Sequence, residues 1–288
     1  MRKRISILFI FFFASIFIYS AKGCFRIIDN TLGLPDNTVN CISQDKNGFI
    51  WIGTSGGLCR YDGLFFDIFR KNPNDEFSII NDNVYKILPV NTGLYLATGK
   101  GLDFYSFRDG LFHQCSVTYK GHISLIKSRL NSIIYNKGNI LAADENGILY
   151  IKKGPSENCQ FERVNNHNKI YVISNSKNQN LVAIGHNKLF ILSSDARQVY
   201  CSYVKNIDIT YNLNLKYSKN TDLVYFGNGI GHKGLAFKII NHKLELANDY
   251  VPDNLMDVID YKKKTVFAVD GGGTIIKDGK KIIKPKFK

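Results

Sequence analysis

The sequence predicts an all-β chain made of six repeats of one four-stranded unit, and three observations carry that expectation. After residue 24 no long helical periodicity can be found; short β-branched and aromatic runs alternate with clusters of Asn, Asp, Gly and Lys, the pattern of many short strands joined by turns. One segment then recurs: Asn47-Gly48-Phe49-Ile50-Trp51-Ile52-Gly53-Thr54 followed by Gly57-Leu58 returns as Thr92-Gly93-Leu94-Tyr95-Leu96-Ala97-Thr98-Gly99 followed by Gly101-Leu102. Looser copies lie around Leu141, Val182, Tyr225 and Phe267, so the anchors from Trp51 onward are spaced by about 45, 45, 41, 43 and 42 residues. A period of about 43 residues, each a run of short strands, is that of a β-propeller blade.

The elements justify themselves in chain order. Met1-Arg2-Lys3-Arg4, an apolar run over residues 5–21 and Ala21-Lys22-Gly23 read as the basic region, core and cleavage site of a signal peptide, residues 1–23. The run of about 17 residues is short for a membrane span, so an uncleaved anchor is the lesser alternative, as is lipoprotein processing at Cys24. The expected location is the periplasm, with the membrane touched only through that leader. Its removal lowers the net charge from +14 to about +10. A basic exported chain can meet anionic polysaccharide or a membrane surface, whereas nucleic acid is excluded by export and by the lack of a basic helix or aromatic-basic motif.

The propeller domain is expected over residues 24–288. Its first unit places strands at 39–44, 49–53, 58–61 and 65–70, with Asp45 before Asn47-Gly48 supplying tight-turn chemistry. Small residues in the second strand, Gly53, Ala97 and Ala142, let neighbouring sheets approach closely. Trp51, the only tryptophan, lies mid-strand and is expected to pack between blades. Six cysteines in an exported chain invite a disulfide framework, but their wide spacing argues against one. Cys41 and Cys59 are expected on the two outer strands of a meander around Ile52, about 9.5 Å apart and beyond bridging reach, as buried thiols.

Candidate chemistry reduces to turns. Gly53-Thr54-Ser55-Gly56-Gly57 fits G-x-S-x-G, but a nucleophile elbow needs a helix after the serine. The residues after Ser55 are strand-like, and the corresponding positions in other copies hold Lys100, Glu145 and His186. Ala97-Thr98-Gly99-Lys100-Gly101 lacks the Ser or Thr and the helix of a phosphate loop. The histidines at 113, 122, 167, 186, 232 and 242 show no metal-ligand spacing, and the acidic pairs Asp75-Glu76 and Asp144-Glu145 read as solvated turns. No catalytic residue, metal or cofactor is therefore expected. In a propeller the turns between second and third strands gather with the inter-blade connections on one face. That face is expected to carry Ser55, Lys100, Glu145, His186, His232 and Asp270, with Asp36, Asn37, Asn81 and Asn83 near the pore mouth, and with Thr54, Asp144 and Asn187 beside them. These groups suit sugar hydroxyls or a protein surface.

The first unit, Gly33-Leu34-Pro35-Asp36-Asn37-Thr38-Val39-Asn40 through Ile42-Ser43-Gln44-Asp45 and Gly48-Phe49-Ile50-Trp51-Ile52-Gly53-Thr54 to Gly57-Leu58-Cys59-Arg60-Tyr61-Asp62-Gly63, resembles the two-component regulator propeller repeat. That repeat opens the periplasmic sensor of hybrid two-component systems in Bacteroidetes. The resemblance implies a sensor that recognises glycan fragments and signals through a membrane helix to a kinase. The family has two seven-bladed propellers, a β-sandwich, a membrane span and kinase and receiver domains. Here six units, over residues 24–276, can be recognised, and no histidine-kinase motif is found. The expectation is a non-catalytic sensor propeller, truncated or split, with residues 25–28 closing the last blade. Its partners would be an oligosaccharide or a periplasmic protein, with a downstream sensor kinase or a homodimer partner beyond. The alternatives are a propeller lyase or glycosidase, and a scaffold without small ligand.

Overall fold

The computed structural model describes residues 28–284 apart from 155–157, 165–167, 178–179, 187, 197, 204–212, 229–232, 242 and 270–272. Among the described residues there is no α-helix; six antiparallel sheets follow one another along the chain as the blades of a six-bladed β-propeller. Blade 1 holds β1 (Val39–Gln44), β2 (Ile50–Thr54), β3 (Gly57–Tyr61) and β4 (Phe66–Phe69), and blade 2 holds β5 (Val84–Val90), β6 (Gly93–Thr98), β7 (Gly101–Ser106) and β8 (Phe112–Gln114). A hairpin of β9 (Ser116–Tyr119) and β10 (His122–Leu125) precedes blade 3, which is β11 (Leu130–Asn136), β12 (Asn139–Asp144), β13 (Leu149–Lys152) and β14 (Gln160–Arg163). Blade 4 is β15 (Val172–Asn175), β16 (Leu181–Gly185), β17 (Lys188–Leu192) and β18 (Gln198–Tyr203). Blade 5 is β19 (Leu213–Ser218), β20 (Leu223–Asn228), β21 (Leu235–Ile240) and β22 (Lys243–Leu246), and blade 6 is β23 (Leu255–Tyr261), β24 (Lys264–Val269), β25 (Gly273–Asp278) and β26 (Lys281–Ile283).

The middle strands explain the apolar runs in the sequence. Every residue of β6 and β7 is buried, because blade 2 is covered on both faces by blades 1 and 3, so these strands show no alternation. Blades 1 and 2 share a core of Trp51, Leu58, Leu94, Leu96 and Tyr105, and blades 2 and 3 share one of Tyr95, Ala97, Leu102, Ala142 and Phe161. Trp51 is 1% exposed and its ring lies 5.2 Å from that of Tyr105 in blade 2, the inter-blade role expected of it. Gly53 is small for a reason: a Cβ there would lie 2.9 Å from the Val84 carbonyl oxygen of the next blade.

The turns are fixed by short polar side chains. Asp45 Oδ1 accepts from the N–H groups of Asn47 (2.9 Å) and Phe49 (3.1 Å), while its Oδ2 accepts from Trp51 Nε1 at 2.8 Å, joining turn and core. Between second and third strands, Thr54 Oγ1 donates to the Gly57 carbonyl and accepts from Gly56 N–H, and Thr98 makes the same pair with Gly101 and Lys100. The two glycine-rich motifs are thus one turn used twice.

Several expectations need correction. Cys59 stands opposite Ile52, but Cys41 stands opposite Gly53, because the ladder runs unbroken from Gln44 opposite Ile50 and places Ile42, not Cys41, opposite Ile52. The two therefore serve different cores, Cys41 between blades 1 and 2 and Cys59 with Leu34 and Ile52. Both are free thiols, pushed up by burial to about 12 and about 11, although Cys41 is only partly buried. Asp144 is not a solvated turn residue: its carboxylate is 0% exposed, taken up by the N–H groups of Asn146 and Ile148 and the hydroxyls of Ser128 and Tyr150. Thr54 is equally buried. The fourth strand of the last blade is β26, which leaves no such place for residues 25–28, of which 25–27 lie outside the described residues. The β9–β10 hairpin has no counterpart in the repeat; β9 pairs in parallel with β14 and widens that sheet to six strands.

The seam between blades 6 and 1 differs from the other five. Among the described residues no apolar core joins them. On blade 1 the cross-strand row Ile42, Ile52, Cys59, Ile68 faces that seam, with Ile42 65% and Ile68 44% exposed and only the segment around Leu34 covering its centre. On blade 6 the row Ile259, Val266, Ile276, Ile283 turns away from blade 5, with Ile259 60% exposed. The inner strands nonetheless gather round one axis. Lys86 of blade 2, Lys216 of blade 5 and Cys41 of blade 1 all lie in the field of Asp257 of blade 6, which is 3.7 Å from Lys216.

Candidate functional site

In blades 1, 2 and 3 the second-to-third-strand turn lies against the connection leading into that blade's first strand, which assembles one polar face. Ser55 N–H donates to Thr38 O at 3.1 Å, Gly99 N–H to Asn83 O at 2.9 Å, and Glu145 N–H to Arg129 O at 3.0 Å. Glycine permits the approach: a Cβ on Gly99 would meet Asn81 Oδ1 at 2.7 Å, and one on Gly101 would meet Ile126 O at 2.0 Å.

Side chains on this face link across three blades. Asn40 Nδ2 donates to Asn83 Oδ1 at 2.9 Å, and Asn83 Nδ2 donates to Tyr85 Oη at 2.9 Å. The Tyr85 ring carries the Arg129 guanidinium 5.3 Å from its centroid, and Arg129 Nε lies 3.7 Å from Glu145 Oε2. Asn81 Oδ1 accepts from Asn83 N–H at 3.2 Å, and Asn131 Nδ2 donates to Tyr171 O at 3.2 Å. The sequence pointed to Asn81, Asn83 and Glu145 and missed Asn40, Tyr85, Arg129 and Asn131. Three of the missed residues sit at β-bulges near the start of an inner strand, between Val39 and Cys41, Val84 and Lys86, and Leu130 and Ser132. A bulge re-aims its side chain out of the strand's alternation. The legible signal was the polar or aromatic residue recurring at the second position of β1, β5, β11 and β19: Asn40, Tyr85, Asn131 and Asn214.

The other expected residues divide. Lys100 is exposed on the turn beside Gly99, and His186 is exposed on the corresponding turn of blade 4. Asp36 is held by its own turn, accepting from Thr38 N–H at 2.7 Å, and Asn37 Oδ1 accepts from Asn30 N–H at 2.8 Å, so both brace the segment leading into β1. Ser55 is a turn residue followed by strand β3, which removes the helix that a nucleophile elbow requires. His232 and Asp270, with Asn187, lie outside the described residues. Below this face the Lys86 amine is pushed below its ordinary value by burial, against the opposing pull of Asp257.

At the other end of the blades, the turn between β7 and β8 borders a cleft of about 410 Å³ lined by Phe104, Ser106, Arg108, Asp109, His113 and Cys159. His113 Nε2 stands 3.4 Å from Asp109 Oδ2, and Leu111 N–H with this histidine holds that carboxyl below the usual carboxylate range. Among the described residues no group of three or more His, Cys, Asp or Glu side chains could hold a metal ion, and no helix is long and apolar enough to cross a membrane.

Fold and face together define a class: a β-propeller whose loop face presents hydrogen-bonding groups around its axis and whose turns are structural. Within that class the chain carries the two component regulator propeller repeat, which residues 33–56 match, as the sequence of blade 1 indicated. The chain is 40% identical over 73 residues to the histidine kinase P4 of Formosa agariphila, a stretch that is 25% of this chain and 5% of that protein. In three dimensions it is similar to an extracellular domain described as that of a hybrid two component system from B. thetaiotaomicron, with a TM-score of 0.72 at 16% identity over 91% of this chain. The chain covers 37% of that structure's length. It is also similar to virginiamycin B lyase from Staphylococcus aureus, with a TM-score of 0.60 at 10% identity over 88% of this chain and 85% of that one, a likeness of fold alone.

Proposed function

We propose that this chain is an exported, non-catalytic sensor propeller of a hybrid two-component system, with residues 1–23 as signal peptide and residues 24–288 as one propeller domain. It binds an oligosaccharide on its loop face in the periplasm. The carrying observation is the run Asn40, Asn83, Tyr85, Arg129, Glu145: two amides, a phenol, a guanidinium and a carboxylate linked across three blades. Sugar recognition needs paired donors and acceptors beside an aromatic surface, and this run supplies them. Asn81, Lys100 and His186 extend it, and Asp36, Asn37 and Ser55 belong to the same proposed face.

The apolar rows at the seam offer a second surface to this sensor. Among the described residues they are exposed apolar faces of the kind that a further sheet or a partner surface covers. Calorimetry of the purified chain against oligosaccharides cut from plant, algal and host polysaccharides tests the proposal. One class should release heat, and Asn83→Ala should weaken it at least tenfold. A cooperatively folded chain that gives no heat with any of them overturns glycan sensing and leaves the protein scaffold.

A further inference from the structure

Cys115 and Cys159 are separated by about one repeat in the sequence, and nothing in their spacing pairs them. The β9–β10 hairpin brings them together. Strands β9 and β14 run parallel with Ser116 opposite Gln160, Val117 opposite Phe161 and Thr118 opposite Glu162, so the same register, extended back one residue, sets Cys115 opposite Cys159. Ser116 N–H donates to Cys159 O at 3.0 Å, which confirms that the ladder reaches this position. Neighbouring strands lie about 4.8 Å apart, inside the roughly 4.4–6.8 Å range of Cα separations that a disulfide spans. The two side chains pack in the same core between blades 2 and 3, where the Cys159 thiol donates to the carbonyls of His113 (3.7 Å) and Gln114 (3.4 Å), the two residues before Cys115. Cys115 is 0% exposed, whereas Cys159 lines the cleft beside Asp109 and His113.

We propose that Cys115 and Cys159 form a disulfide that staples the β9–β10 hairpin to the outer strand of blade 3. An oxidised disulfide such as glutathione disulfide supplies the chemistry. The Cys159 thiolate attacks one glutathione sulfur and expels the other as a thiol. Cys115 then attacks the Cys159 sulfur of the mixed disulfide and releases the second glutathione. Two protein thiols are oxidised, one glutathione disulfide is reduced, and the two thiol protons pass to the glutathione thiolates. Access dictates the order, since only Cys159 meets the cleft. The contact between these thiols, which holds Cys159 below the ordinary thiol range while burial raises Cys115, favours the same order. The bond closes a loop of about 45 residues, a length at which a cross-link restricts the unfolded chain strongly. Oxidation in the cell rests on the export proposed above; the geometry does not.

The test equilibrates the purified chain with excess glutathione disulfide and maps its peptides without reduction. A Cys115–Cys159 link is expected, with a melting temperature about 5–10 °C above that of the reduced chain. Cys159→Ser, at a partly exposed position, should fold, leave Cys115 unlinked and abolish the shift. A folded chain whose Cys159 stops at the glutathione adduct, or whose Cys115 links elsewhere, overturns the proposal and leaves the sensor reading untouched. A linked chain that binds no sugar overturns the sensor reading alone.

Discussion

Replacing Asp45 by alanine removes three hydrogen bonds from one carboxylate that is 6% exposed. Two of them, from the N–H groups of Asn47 and Phe49, hold the turn between β1 and β2; water can replace part of each, so their loss costs about 0.5–1 kcal/mol apiece. The third comes from Trp51 Nε1, inside a side chain that is 1% exposed, and an indole N–H left there without an acceptor costs about 1–3 kcal/mol. The sum is about 3 kcal/mol. Asp45→Asn separates the parts, because its amide oxygen can keep the turn while its NH2 group faces the indole donor, for a cost of about 2 kcal/mol. Trp51→Phe in the Asp45→Asn background should recover about 1 kcal/mol of that loss relative to Trp51→Phe alone. Urea unfolding followed by far-UV circular dichroism gives all four values at unchanged m. If Asp45→Ala cost under about 1 kcal/mol, or if the alanine and asparagine variants were equal, the turn-to-core link would be wrong.

Three further outcomes come from the same packing. Asp103 is 0% exposed, and burial pushes its carboxyl up to about 7 against Ile80 N–H and Lys71, while Oδ1 has no partner. Because its folded pKa exceeds the unfolded value, its contribution is most favourable in acid and is lost as pH rises through 7; wild type should lose about 2–3 kcal/mol between pH 5 and 8 relative to Asp103→Asn, read from denaturation midpoints at each pH. Gly101 has φ 134° and no room for a Cβ beside Ile126 O, so Gly101→Ala should cost more than about 3 kcal/mol or leave the chain insoluble, seen in soluble yield and melting. Leu96→Ala, inside the blade 1–2 core, should cost about 2–5 kcal/mol, whereas Ile42→Ala at the seam should cost under about 1 kcal/mol; equal losses would mean that blades 6 and 1 are sealed.

The repeat made the blades legible because the second and third strands of blades 2, 3 and 4 are buried on both faces. Those strands must stay apolar and small where neighbours touch, as Gly53 and Ala97 show. Alignment of the same copies is enough to identify Ser55 and Lys100 as turn residues. What escaped was whatever breaks the period. The β9–β10 hairpin sits between two copies without altering their register, and it alone makes neighbours of Cys115 and Cys159. The bulges that aim Asn40, Tyr85 and Asn131 insert one residue where the alternation predicts an ordinary strand position. Asp144 reads as a turn acid from its neighbours, and the hydroxyls of Ser128, before β11, and Tyr150, on β13, reveal its burial.

Sensing on the loop face is the central claim, and hydrogen exchange with a bound oligosaccharide tests it most directly. Backbone amides of residues 81–85, 98–101 and 126–131 should slow on ligand addition, while those of the opposite turns at 45–49 and 106–111 should keep their rates. Protection confined to the opposite turns, or to the cleft beside His113 and Cys159, would contradict it.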